Sequence, residues 1–522
     1  MSTFKKKLDR RQKLYKSKQT RNTSREKRKD LNVQISKNKR SEMLMKRRNI
    51  VQQSQDTKSE LEVNDYIPPI QELPTLVKGV KSDDLETVQT CTQLIRKMLS
   101  IEGEPPIEEI LETNIVPTFV KFLKHSENDF LKFETTWIFS NICSGNSEQT
   151  NYVVDLGVIP LFFQGIESSN SNIQIQSVWG IGNIVGDSFE LRDNILNYPN
   201  SIEKIINLIE NNENNIDILQ NAAWTLSNLC RGKPRPPYKM VKKAVPIFCQ
   251  LINSDCKKLV IDTCWGLSYL SIGSPKHIDG MLNTGIVPKI LELLKHQDYR
   301  IRTPSILTIG NLVTGDNKQT QKVIEYGALD YLKTLLNDKK IQIVRETCWA
   351  LSNITAGNEK QIGLVLEKDI FPEILKLLKS KVYLIKKEAS WVINNAIYCG
   401  TDEQVKYLVE NNVIILLSSF LDNQESKIVK TTMDSYLKIL NVGKNIAEYE
   451  NFNYNYYSIE MENEGIKDKF YNLVEIKNRK ISLLADEILN KYFDDSESES
   501  DVSLSSDSEN SNDLFEEYRF DN

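Results

Sequence analysis

The chain has 522 residues, 40% of them hydrophobic and 26% charged, and a net charge of −4. That is ordinary for a soluble protein and long enough for several domains or one extended architecture. No apolar run approaches the ~20 residues of a membrane span, and the charged N-terminus is not a secretory signal. The expectation is a soluble, intracellular protein with no membrane contact. The eight cysteines form no CxxC and no zinc spacing, so they read as buried reduced thiols rather than metal or redox ligands. Three histidines stand in no recurrent constellation, and there is no phosphate-binding glycine loop. We therefore expect no catalytic residues, no metal, no cofactor and no enzyme.

The net charge conceals a strong asymmetry. Residues 1–50 hold 19 Lys and Arg against 4 Asp and Glu, a net of +15. Thr23 or Ser24 opens a candidate helix over 23–48 that is so cationic it should fold mainly against an acidic partner. Composition alone leaves two readings of this head open: an acidic protein partner, or a nucleic-acid-binding arm. A linker over 51–72 follows.

From about residue 73 the chain repeats. Trp137, Trp179, Trp224, Trp265, Trp349 and Trp391 are spaced by 42, 45, 41, 84 and 42 residues. The doubled interval predicts a missing member at Leu307. Turn-like strings ("NIVP", "GVIP", "AVP", "GIVP", "DIFP") recur 19 or 20 residues before the Trp register. Each starts an apolar stripe of helical spacing, with Pro near the helix start where its missing N–H is not needed. Gly follows the Trp helix in "CSG", "CRG", "TAG" and "YCG", as expected of a C-terminal glycine cap. Strings such as "SGNSEQ" read as repeat corners. A period near 42 built from two or three helices marks HEAT and armadillo arrays, whose units bury a core only by stacking. The predicted fold is all-α: a right-handed armadillo-repeat α-solenoid of about ten repeats. Repeats 1–9 span 73–442 and a capping repeat spans 443–493. The acidic tail 494–522, with 11 acidic residues against Arg519, is expected to be disordered, like the basic head.

Asn follows Trp by four residues in five units: Asn141, Asn183, Asn228, Asn353 and Asn395. Asn311 holds the same place after Leu307. Residues i and i+4 share a helix face, so successive units should form parallel Trp and Asn ladders. One isolated pair would be core packing with a local hydrogen bond. Repetition favours a binding surface: an Asn amide can clamp both N–H and C=O of an extended peptide. Adjacent Trp faces hold cationic stems at roughly 0.5–2 kcal/mol per contact. The net charge of the middle of the chain, about −9, suits a Lys/Arg-rich ligand.

With these residues in view the chain resembles the importin alpha family. The strings "WTLSNLCRGKPRPP", "DTCWGLSYLSIG", "GNLVTGDNKQTQ" and "CWALSNITAGN" carry the resemblance in the repeats. In the head, "RRQKLY", "SREKRKD" and "NKRSEMLMKRRNI" resemble an importin-beta-binding domain, here 1–50. The resemblance implies a nuclear import adaptor, shuttling between cytoplasm and nucleus. Its implied partners are basic localisation-signal peptides of cargo, importin beta, an export receptor at the C-terminal region and, indirectly, the nuclear pore complex; direct nucleic-acid binding is not implied. The major groove falls on Trp137, Asn141, Trp179, Asn183, Trp224 and Asn228. A lysine pocket maps to Gly145, Thr150 and Asp187, and Asp262 adds negative field. The minor groove maps to Asn311, Trp349, Asn353, Trp391 and Asn395, with Val313 and Thr320 in its pocket and Glu346 and Glu388 supplying charge. Tyr269 and Leu307 interrupt the ladder and predict two separate sites.

Arg28, Lys39, Arg40, Lys46, Arg47 and Arg48 are the candidate importin-beta-binding and autoinhibitory residues. Lys46-Arg47-Arg48 is itself a short localisation-like peptide. About 24 residues of tether give it a coil reach of roughly 25–30 Å, and it is expected to occupy the chain's own groove. The competing reading is an armadillo scaffold of the beta-catenin type, binding extended partners without a transport role. That reading predicts a basic groove and requires no Trp-Asn ladder.

Overall fold

The computed structural model describes residues 46–48 and 66–493. Residues 51–65 of the expected 51–72 linker, the tail 494–522 and most of the basic head therefore lie outside the described residues. Among the described residues the regular elements are helices and no strand occurs, giving the all-α repeat architecture that the 42-residue period predicts. The chain divides into two compact units, Met1–Ile393 and Asn394–Asn522.

In the first unit each repeat closes with a long inner helix. We number these helices α1 (Leu85–Leu99), α2 (Asp129–Ile142), α3 (Ser171–Asp187), α4 (Ile216–Leu229), α5 (Lys257–Leu270), α6 (Tyr299–Leu312) and α7 (Ile341–Thr355). Helix α8 (Tyr383–Cys399) crosses the boundary between units. Consecutive inner helices from α1 to α7 pack on one another. The starts of α1 to α4 and of α6 carry Asp or Asn caps. The side chains of Asp84, Asn128, Asn170, Asn215 and Asp298 accept from backbone N–H groups one turn in, satisfying donors that helix geometry orphans.

The glycine after the Trp helix has a different cause from the cap expected. Gly232 has positive φ, but Gly145, Gly357 and Gly400 do not. What excludes a side chain at Gly145, Gly315 and Gly357 is the capping box of the following helix. Asn146/Gln149, Asp316/Gln319 and Asn358/Gln361 form such boxes, and a Cβ on the glycine would stand 1.9–2.1 Å from the Gln amide oxygen. The same glutamines reach the preceding repeat: Gln319 Nε2 donates to Pro275 O at 2.8 Å and Gln361 Nε2 to Asn317 O at 2.8 Å. The left-handed residues sit instead at the corner before the middle helix, at Asn114, Gly157, Asn200, Gly285, Gly327 and Asp369.

The second unit contains the end of α8 and a 25-residue helix, α9 (Ser426–Glu450), followed by α10 (Tyr456–Asn463), α11 (Ile466–Val474) and α12 (Arg479–Tyr492). Helix α9 runs without a break through 442/443, where the last regular repeat was expected to give way to the capping segment.

Two inner-helix glycines set the depth of the Trp side chains. A Cβ on Gly182 would lie 2.4 Å from the Trp224 ring, and one on Gly310 would lie 2.1 Å from the Trp349 ring. Overpacking of this kind costs about 1–3 kcal/mol. Gly310→Ala is expected to lower the urea midpoint of the chain by a corresponding amount; an unchanged midpoint would show that Trp349 moves aside freely.

Candidate functional site

Each ladder Asn is almost wholly buried, and the NH2 of five of them, Asn141, Asn183, Asn228, Asn311 and Asn353, has a job inside the fold. Asn141 Nδ2 donates to Leu99 O at 3.2 Å, Asn183 to Ser140 O at 2.9 Å, and Asn228 to Gly182 O at 3.2 Å. Asn311 donates to Ser268 O at 3.1 Å and Asn353 to Gly310 O at 3.3 Å. Leu99, Ser140, Ser268 and Gly310 lie in the last turn of the preceding inner helix, where carbonyls have no intrahelical partner. The repeated buried amide thus has a packing reason that its sequence pattern does not display: it caps the helix before. At Asn183 the carbonyl side of the same amide is turned to the groove.

Residues 46–48 lie in that groove without regular secondary structure, so the helix expected over 23–48 does not include its last three residues. Their main chain is engaged elsewhere. Arg47 N donates to Asn183 Oδ1 at 2.7 Å, and Arg47 O accepts from Asn183 Nδ2 at 3.0 Å and from Trp179 Nε1. Asn183 holds donor and acceptor of one residue at once.

The side chains find three acceptor sets. Lys46 Nζ donates to Gly145 O and Thr150 Oγ1, both at 2.9 Å, and pairs with Asp187 Oδ1 at 2.5 Å. A carbonyl, a hydroxyl and a carboxylate match the three donors of an ammonium. Asp187 ends α3 and Gly145 stands just past the end of α2, so the ammonium also sits near two helix C-termini, the negative ends of their dipoles. Ser147 Oγ orients Asp187 Oδ1 at 3.0 Å. The Arg47 guanidinium lies 4.6 Å from the Trp224 ring centroid and donates to Asp262 Oδ1 at 2.6 Å. Arg48 donates to Gly103 O at 2.5 Å and to Ser144 Oγ at 3.4 Å. Gly103 and Ser144 carry no motif that would have singled them out.

Trp137 is covered by a cation of its own fold. Arg96 stacks 4.2 Å from its ring centroid and pairs with Glu134 at 2.7 Å, both side chains buried. Buried Arg and Glu at this distance in sequence, 38 residues apart, are invisible to a spacing argument.

The residues expected in a second groove lie further along. Thr320 Oγ1 donates to Val313 O at 3.4 Å, as Thr150 does to Cys143 O at 3.2 Å. Asn353 Oδ1 is buried without a hydrogen-bond partner; the equivalent oxygen of Asn183 takes the Arg47 N–H. The charges here differ from those around Asn183. Glu346 is paired with Arg345, and the residue four beyond Asn353 is Gly357, where Asp187 stands four beyond Asn183. Burial acts to lower the Arg345 pKa, but Glu346 and Glu388 outweigh it and hold the guanidinium above its usual range. Trp349 is half-buried, whereas Trp391 is buried. Asn395, one turn beyond Trp391 on α8, belongs to the second unit. Between the two sets, Trp265 stacks on Tyr269 at 5.7 Å and Leu307 keeps the half-buried Trp register. Arg28, Lys39 and Arg40 lie outside the described residues. Among the described residues no group of His, Cys, Asp and Glu could hold a metal ion.

Fold and groove together define an armadillo-repeat protein whose groove holds its own Lys46-Arg47-Arg48 segment. Comparison with known proteins narrows this. An importin beta binding domain matches residues 11–93, and armadillo/beta-catenin-like repeats match 146–186, 199–231 and 316–356. Importin subunit alpha-1b of Oryza sativa subsp. japonica is 41% identical over 252 residues, 48% of this chain and 47% of that protein. Importin subunit alpha-3 of Arabidopsis thaliana is 37% identical over 309 residues, 58% and 57% of the two chains. The probable importin subunit alpha-A of Dictyostelium discoideum is 33% identical over 339 residues, 59% and 61%. The matched part thus spans roughly half the length of these relatives. An engineered protein of known crystal structure superposes with a TM-score of 0.71 at 20% identity, covering 80% of this chain and 98% of that one, which shows the fold alone. Over the matched residues the chain is thus similar to importin alpha subunits of several organisms.

Removing one partner of a desolvated charge pair costs about 2–5 kcal/mol. Asp187→Ala is therefore expected to weaken binding of a Lys-Arg-Arg peptide to residues 66–522 by at least about 30-fold, measured by fluorescence anisotropy; a change under threefold would remove Asp187 from the pocket. Asp262 adds a pH signature. Burial raises its pKa, and Arg47 opposes that rise. Binding an arginine therefore favours the carboxylate and releases a proton. Affinity is expected to fall as pH is lowered towards the ordinary Asp range, beginning above it, and Asp262→Asn to flatten that fall.

Proposed function

We propose that the chain is a nuclear import adaptor. It binds Lys/Arg-rich localisation signals of cargo along its Trp/Asn face and links them to importin beta through its basic head. The observation that carries this reading is the engagement of Lys46 and Arg47. A basic tripeptide is held by backbone-directed Asn183 and by two buried carboxylates, with nothing that reads side chains other than their charge and stem. The importin-beta-binding match to the head and the importin alpha relatives support the second half of the role. The beta-catenin-type alternative lacks support, because the groove that holds the cations is acidic.

In this reading Lys46-Arg47-Arg48 is an internal competitor, released when importin beta takes the head. The tether keeps its effective concentration in the millimolar range. Replacing all three residues by Ala in the full chain is expected to tighten binding of a labelled localisation peptide by about tenfold or more, and adding importin beta to the unmodified chain to have the same effect. Unchanged affinity in both cases would sink the internal-competitor reading. No affinity of either chain for the peptide would sink the adaptor reading itself.

Two-cluster signals would use the Asn311–Asn353 region as well. The Asn353 carbonyl supports this, since it offers the acceptor that Asn183 uses. The missing carboxylate at Gly357 makes that second site the weaker one. Asn353→Ala is expected to weaken a two-cluster peptide severalfold and leave a single-cluster peptide within twofold, as read by calorimetry; equal effects would place both clusters elsewhere. Shuttling between cytoplasm and nucleus, and return by an export receptor engaging the C-terminal region, complete the proposal.

A further inference from the structure

In the first unit, the edge where the inner helices begin reverses its charge along the chain. Around the starts of α1 to α4, residues 81–86, 125–130, 167–172 and 212–217 hold eight Asp and Glu against Lys81 alone. Around the starts of α6, α7 and α8, residues 295–300, 337–342 and 379–384 hold six Lys and Arg against two Asp. Both of those carboxylates are already used: Asp298 pairs with Arg300 at 2.6 Å and Asp338 with Arg302 at 2.9 Å. No ion pair engages Lys339, Lys340, Lys379 or Lys381 among the described residues, and all four are exposed.

The helix starts add to this positive field. At α5 and α7 the capping positions are Cys256 and Lys340, and neither side chain accepts from the backbone. A lysine there stands against the positive end of the helix dipole, which an anion would offset. The Lys340 ammonium lies 4.7 Å from the Tyr299 ring centroid, so the starts of α6 and α7 are neighbours. The hydrogen bond from Arg300, and more weakly the charge of Lys257 at the start of α5, hold the Asp298 carboxyl down to about 2 against burial.

An apolar column runs through the same edge. Tyr299, Ile341 and Tyr383 open α6, α7 and α8 at intervals of 42 residues and are 37%, 51% and 43% accessible. Large apolar side chains grouped in water mark interaction sites. Ile341, in the middle of the column, offers no ring for a base, and Lys340 covers Tyr299. The column therefore does not suit single-stranded nucleic acid, whose bases need aromatic platforms. Packed helices lie about 8–10 Å apart, the span of about three residues of an extended peptide.

We infer that the edge formed by the starts of α6, α7 and α8 is a docking surface for an extended Asp/Glu-rich segment of a partner protein, with apolar residues at about every third position. The carboxylates of that segment meet Lys339, Lys340, Lys379 and Lys381, and its apolar side chains meet Tyr299, Ile341 and Tyr383. The surface is opposite in charge to the groove and uses none of the Trp/Asn face, so it goes beyond the adaptor reading.

The test uses the full chain and an amino-blocked (Glu-Glu-Leu)4 peptide, coupled to lysines with a carbodiimide and mapped by mass spectrometry. Position-resolved cross-links separate the edge from the basic head, which also attracts an acidic probe. Saturable cross-links at Lys339, Lys340, Lys379 and Lys381 are expected. Lys340→Glu with Lys381→Glu is expected to raise the half-saturating concentration at Lys339 and Lys379 at least tenfold. Lys121→Glu with Lys124→Glu, exposed lysines outside the edge, is expected to leave it within twofold. Ile341→Ser is expected to raise it at least threefold although no charge is altered. Cross-links that do not saturate, an unchanged Ile341→Ser chain, or equal losses in the edge and control pairs would overturn the inference. So would a twelve-nucleotide oligothymidylate that displaces the probe from the edge lysines more effectively than uncoupled peptide does, since the occupant would then be nucleic acid. The Lys340→Glu, Lys381→Glu chain should bind a basic localisation peptide as its parent does, which keeps failure here distinct from failure of the adaptor reading.

Discussion

One side-chain amide, repeated, is the contact on which the rest of the site depends. The NH2 of Asn141, Asn183, Asn311 and Asn353 satisfies a last-turn carbonyl of the preceding inner helix. An unpaired buried carbonyl would cost about 1–3 kcal/mol at each junction. Satisfying it fixes the amide plane, and at Asn183 the fixed plane turns the other half of the group to the groove. Asn183 shows the consequence: one amide closes the junction with Ser140 and holds both polar atoms of Arg47. Structure and recognition are therefore one hydrogen-bond arrangement, not competing explanations of the same residue.

Electrostatics completes what the amides begin. Asp187 stands at a helix C-terminus, where a carboxylate is unfavourable, and Asp262 is buried. Burial disfavours the Asp262 charge until a cation arrives. One oxygen of each, Asp187 Oδ2 and Asp262 Oδ2, remains buried without a hydrogen-bond partner. The groove thus stores a preference for Lys and Arg in groups that the fold alone would place elsewhere. The tryptophans divide in the same way. Trp224 receives the Arg47 guanidinium, while Trp137 is covered by Arg96.

Repetition does not make the units equal. Arg345 beside Glu346, Gly357 in the register of Asp187, and Tyr269 and Leu307 in the ladder all weaken the later repeats as cation sites. The second unit departs further, replacing the Trp-Asn pair with a long α9.

Much of this was legible in the sequence, for a physical reason. A stacked repeat must place equivalent residues at a constant interval, so the Trp register, the missing member at Leu307, the all-α class and the helix corners follow from spacing. The pocket set Gly145, Thr150 and Asp187 came from the family resemblance, because its three acceptors approach from two repeats. Tertiary structure alone decided the rest. The junction bonds of the asparagines, the Arg96–Glu134 pair beneath Trp137, and the contacts of Arg48 with Gly103 and Ser144 join residues tens of positions apart. Gly145, Gly315 and Gly357 likewise answer to a glutamine amide of the next helix, not to their own backbone angles. Periodicity reports which residues share a face; only the packed chain reports which polar atoms on that face already have partners.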